Sequence, residues 1–207
     1  MTRYFEVLMN RLFSLFSGIV LAASAAAAQP PPQGPVGTAQ GLQRSYAQTK
    51  NNITASAEKM PEADYFFKPT PDIRGYGQLW AHVADAQFGQ CSGAKGVPNP
   101  RQGQPSFEAL TTKAEIVKAV ADSFAFCDDV FSSLTDASAA EMISNGRGGQ
   151  QSRVVALLGV LGHDSEMYGI GTVYLRLKGQ IPPSTELFMR GRGAAGGGQR
   201  GDGRGRQ

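Results

Sequence analysis

The chain has 207 residues, with 20 Lys or Arg, 17 Asp or Glu, a formal charge of +3, two histidines and two cysteines. Two histidines exclude a multi-histidine zinc cluster, and there is no HExxH, CxxC, P-loop, dinucleotide fingerprint or nucleophile elbow. From Arg190 onward there are five Arg and one Asp, whereas 29–189 holds 13 basic and 15 acidic residues; the basic balance belongs to the tail and gives no argument for nucleic-acid binding by the folded part.

Residues 1–28 read as a secretory signal peptide. Arg3 and Arg11 make a positive start, Leu12 to Ala23 an apolar run, and Ala25 to Ala28 the small residues before cleavage after Ala28. The competing reading is a retained anchor helix. No Cys stands at the cleavage point to carry a lipid, and no later segment is apolar for long enough to span a membrane. The mature protein is expected in the periplasm or outside the cell, with about 179 residues, enough for one domain with a core. Cys91 and Cys127 would meet an oxidising compartment there and can form a disulfide or remain buried thiols.

Residues 29–37 form a Pro-rich linker. A first helix is predicted from Thr38, with Leu42, Tyr46, Thr49, Ile53 and Met60 inside, ending before Pro61. A second is predicted from the Thr70-Pro71 cap, with Ile73, Tyr76, Leu79, His82, Val83 and Ala86 on one side. Gly75, Gly77 and Gly89 within it point to close backbone packing. It stops near Gly93–Gly96. The connection over 97–111 contains Pro98, Pro100 and Pro105 and is too long for a tight hairpin, which predicts a crossover. Thr112 and Glu115 make a capping box for a third helix, with Ile116, Val120, Phe124, Cys127, Phe131 and Leu134. After a second connection, a fourth helix follows from Ser152. Its stripe is Val154, Leu157, Leu158, Leu161, Met167, Ile170, Tyr174 and Leu177, stopped by Gly179, Pro182 and Pro183. Residues 38–189 therefore predict an all-α four-helix bundle. Residues 190–207, with eight Gly after Arg190, predict a disordered tail that keeps the chain soluble or touches an anionic surface.

The chemistry lies with His82 on the second helix and His163 inside the stripe of the fourth, with Met167 one turn on. In a bundle, inward residues of different helices meet, and metal sites are built that way. The competing reading is two core histidines bonded to backbone or to neighbours such as Asp85 and Asp164.

LWAHVADAQFGQCSGAKG (79–96) and HDSEMYGIGTVYLRLKGQIPPS (163–184) resemble the two signature stretches of the DinB-like (DinB/YfiT-like metalloenzyme) superfamily, over Gly41 to Ser184. The resemblance implies an up-down-down-up bundle with the crossover between helices two and three. It also implies a divalent metal, Ni or Zn, on three histidines: one at His82, and an H-x3-H pair beginning at His163. The second member of that pair is Met167 here. A thioether is a poor ligand for Zn²⁺ or Ni²⁺ and a good one for Cu(I). Three outcomes stand: no metal, with both histidines in the core; a weak site completed by Glu166 and water; or a His82–His163–Met167 site for Cu(I). Asp85 and Asp164 are candidates to hold the two histidines in place from behind, or simply face solvent. The functional expectation is a binding or non-catalytic exported protein with a degenerate site; the alternative is a metal-dependent hydrolase or thiol transferase acting on a small molecule. An exposed flank of the bundle allows a homodimer.

Overall fold

Four long helices form where the helical apolar period is sustained. The computed structural model describes residues 35–196, with side chains to Arg192. The expected leader, most of the linker and the end of the tail lie outside the described residues. Helix α1 is Thr38–Lys59, α2 is Tyr76–Lys95 and α3 is Lys113–Ser132. A short helix α4, Asp136–Ala140, and an antiparallel hairpin, β1 Met142–Ser144 with β2 Gln150–Ser152, lead into α5, Arg153–Leu177. Helix α6, Pro183–Gly196, follows.

Side-chain pairings fix the directions. Tyr46 meets Phe124 and Asp128, and Met60 meets Lys113, so α1 and α3 are antiparallel. Gly77 lies against Ile116, Gln87 bonds Ser123, and Cys91 is joined to Cys127 by a disulfide with Cα atoms 5.5 Å apart, so α2 and α3 are parallel. Trp80 packs on Gly171 and Ala94 meets Arg153, so α2 and α5 are antiparallel. With α5 also beside α1, this is an all-α four-helix bundle in up-down-down-up order. The crossover over 97–111 returns the chain for the parallel α2/α3 pair. Trp80, Tyr76, Phe124, Phe131, Ile53 and Leu157 are fully buried at its centre. Among the described residues no helix is long and apolar enough to cross a membrane.

Thr112 caps α3 as predicted: its hydroxyl accepts from Glu115 N at 3.3 Å and donates to the Glu115 carboxylate at 2.6 Å. Gly179 takes φ +68 after α5, a conformation that favours glycine. Other boundaries differ from expectation. Helix α2 begins at Tyr76 with Gly75 as its N-cap, not at Thr70. Gln78 Oε1 accepts from Gly75 N at 3.0 Å, and turns and bends occupy 70–73, leaving Ile73 exposed. The inner face of α5 is rotated from the predicted stripe. Leu158, Ile170 and Leu177 are exposed, while Val160, Asp164, Gly171 and Leu175 are buried. Apolar residues surround this helix, so its period does not choose a face. A Cβ at Gly171 would lie 2.5 Å from the Trp80 ring, so the backbone there makes room for the indole. Gly77 is close-packed as expected, 2.8 Å from Tyr65 by the same measure; Gly89 has only Asn99, at 3.8 Å. Beyond Met189, the segment read as tail continues as helix to Gly196. Pro183 suits the first turn, where its missing N–H costs nothing.

Candidate functional site

His82 and His163 reach each other because α2 and α5 run antiparallel and both residues lie toward their shared seam. Their Nε2 atoms are 3.3 Å apart. Each histidine has a carboxylate behind it. Glu108 Oε1 lies 2.9 Å from His82 Nδ1, and Asp164 Oδ1 lies 3.6 Å from His163 Nδ1. Glu108 at His82 Nδ1 favours the Nδ1–H tautomer there and leaves His82 Nε2 to accept. His163 Nδ1, 3.6 Å from Asp164, makes no hydrogen bond, so His163 can carry its proton on Nε2 and donate to His82 Nε2, and a metal ion between the two nitrogens would take that proton's place. Two nitrogens held at about 2.05 Å by one tetrahedral ion are about 3.3 Å apart, which matches the observed gap.

The polar chain continues on both sides. Glu108 Oε2 accepts from Arg74 Nε at 3.0 Å. Burial pushes the Glu108 carboxyl up, but the hydrogen bond and charge of Arg74, with those of His82, outweigh it and hold Glu108 below the ordinary glutamate value. On the inner side, fully buried Asp164 accepts from Gln87 Nε2 at 2.8 Å, and Ser123 Oγ donates to Gln87 Oε1 at 2.7 Å. His163 Nδ1 and Asp164 Oδ1 are both buried with no hydrogen-bond partner among the described residues. Unsatisfied polar atoms of this kind are costly and call for an explanation.

The two carboxylates expected behind the histidines divide. Asp164 stands behind His163, but Asp85 does not touch His82. Asp85 Oδ2 instead accepts from Ser106 Oγ at 2.5 Å and from Phe107 N at 2.8 Å. It pins the turn Phe107–Ala109, whose middle residue Glu108 then reaches His82. Sequence spacing missed Glu108 because nothing local ties a crossover loop to one side of α2. The available signal was an acid in a Ser-capped turn that had to pass this helix.

Met167, one turn beyond His163, is buried and lines a cleft of about 590 Å³ with Glu108, Arg74, Lys68, Leu79 and Tyr174. Glu166 is exposed on α5. Among the described residues no three His, Cys, Asp or Glu side chains gather to hold a metal. The donor set is two imidazoles with a thioether nearby. That does not fit a three-histidine Zn or Ni centre and is closer to what Cu(I) accepts.

The DinB superfamily model matches residues 45–166, a span that contains both histidines and stops one residue short of Met167. Among solved structures, the chain is similar to a DinB-like protein of Bacillus cereus, with TM-score 0.57 and 17% identity over 70% of this chain and 95% of that one. A conserved protein of Enterococcus faecalis gives 0.55 and 16%, over 69% and 98%. A DinB-like protein of Bacillus subtilis gives 0.54 and 18%, over 68% and 94%. At these identities the likeness is one of fold. No curated protein matches the chain.

Proposed function

Because the chain belongs to the DinB superfamily, we propose that it is an exported member whose metal centre is reduced to His82, His163 and Met167, and that it binds a small molecule in the adjoining cleft without metal-dependent catalysis. The observation that carries this reading is the donor set: two convergent imidazoles, 3.3 Å apart, with a methionine at the position one turn on. The cleft beside them offers both charges, on Lys68, Arg74 and Glu108, and apolar wall at Leu79 and Ile170. Mixed linings of this size suit small organic ligands. Export is supported by the residues of 1–28 and by the Cys91–Cys127 disulfide, a bond typical of oxidising compartments.

A second reading is favoured by one observation, the two Nε2 atoms facing each other at 3.3 Å. On it, His82 and His163 hold an ion, Met167 makes the site soft, Glu108 orients His82, and the site serves a metal-dependent hydrolase or thiol transferase. The metal would supply Lewis acidity toward bound water or thiol.

The experiment is metal content. The chain from Gln29, purified without a histidine tag, is analysed by mass spectrometry and titrated with Zn²⁺, Ni²⁺ and Cu(I). The first reading expects no stoichiometric metal and no micromolar binding of Zn²⁺ or Ni²⁺. A stoichiometric metal lost on His163→Ala would replace it with the second reading.

A further inference from the structure

We infer that the C-terminal helix α6 is a peripheral docking element for an anionic phospholipid bilayer. Among the described residues, its first turn holds it to the bundle. Tyr168 donates to Ser184 Oγ at 2.7 Å, and Lys59 pairs with Glu186 at 2.6 Å. Immediately afterwards Leu187, Phe188 and Met189 are 64%, 62% and 57% exposed. Three successive large apolar residues, spread around more than half a helical turn, find no place in the core. Leu177 at the end of α5 and Ile181 in the turn leading into α6 are exposed as well.

Charge says what covers this stub. Arg190 and Arg192 follow the apolar triplet directly, with Arg192 5.6 Å from the Phe188 ring centre. The chain beyond adds Arg200, Arg204 and Arg206 against a single acid, Asp202. The body from Gln29 to Met189 is net acidic, so the positive charge is concentrated where the apolar residues protrude. Apolar side chains entering the acyl boundary with arginines at the headgroups is how interfacial helices bind anionic membranes. The inference does not rest on the histidine pair.

The test is co-sedimentation of the chain from Gln29 with vesicles of phosphatidylglycerol and phosphatidylcholine in equal parts, and with phosphatidylcholine alone. Binding is expected to the first and not the second, and to weaken steeply with salt. L187S/F188S/M189S is expected to lower partitioning on the order of tenfold to a hundredfold. R190Q/R192Q is expected to lower it roughly tenfold or more, at about fivefold per arginine. Circular dichroism confirms that both variants fold. Equal binding to both vesicle types, or binding unchanged by the apolar substitutions, overturns the inference. So does a self-association seen by sedimentation equilibrium that the triple substitution abolishes while the parent ignores vesicles.

Discussion

Two seams of the bundle carry polar groups that are finished differently. Between α1 and α3, Tyr46 stacks on Phe131 with ring centres 3.9 Å apart, and its hydroxyl lies 2.9 Å from Asp128 and 3.0 Å from Phe124 O. Lys50 closes the group with a 2.7 Å ion pair to Asp128. Between α2 and α5, His82 and His163 face each other through Nε2 atoms 3.3 Å apart, and Asp164 Oδ1 and His163 Nδ1 have no hydrogen-bond partner among the described residues. A completed network does structural work, since each buried donor or acceptor is satisfied. On the α2/α5 seam the two unpartnered atoms are a cost that the other seam does not carry.

The comparison is sharpened first by packing. On the α2/α5 seam, Gly171→Ala places a methyl 2.5 Å from the Trp80 ring, which is fully buried. It should cost about 2 kcal/mol in urea unfolding. A neutral result would mean the seam is loose and the histidine spacing soft. On the α1/α3 seam, Tyr46→Phe removes one hydroxyl from a satisfied group and should cost about 1 kcal/mol, read as a lower urea midpoint. Asp164→Asn is the contrasting case. It discharges a buried carboxylate that has one hydrogen-bond partner, so stability should change by less than about 1 kcal/mol or rise. A loss of more than about 2 kcal/mol would show that Asp164 is fully partnered and the seam complete.

The smallest effect is at the edge. Glu186 is held below the ordinary glutamate value of 4.5 by its hydrogen bond to Lys59. A depressed folded value stabilises above the unfolded pKa, and that stability is lost as pH falls through the depressed one. Docking of α6 should therefore weaken on acidification below about pH 4.5. Hydrogen exchange at α6 would report it, and Glu186→Gln should remove the dependence.

The helices, the crossover and the Thr112 cap were legible because each follows from local spacing or capping chemistry. The face of α5 was not, because Leu158, Ile170 and Leu177 satisfy the period as well as Val160, Gly171 and Leu175 do, and only Trp80 decides between them. The histidine pair was legible through its place in two stripes and through the resemblance at 79–96 and 163–184. Glu108 was not, because its position depends on Asp85 capturing a loop more than twenty residues away in sequence. The course of 190–196 was misread because its glycine content argued for disorder and Pro183 was taken only as a stop, although proline also suits a helix's first turn.

On the function proposed above, Met167 is the position that deprives the site of its third histidine ligand. Isothermal titration of Zn²⁺ and Ni²⁺ into the chain from Gln29 and into its Met167→His variant tests it directly. The account predicts no micromolar binding by the parent and one tight site in the variant, lost again on adding His82→Ala. Stoichiometric binding of Zn²⁺ or Ni²⁺ by the parent, abolished by His163→Ala, would contradict it.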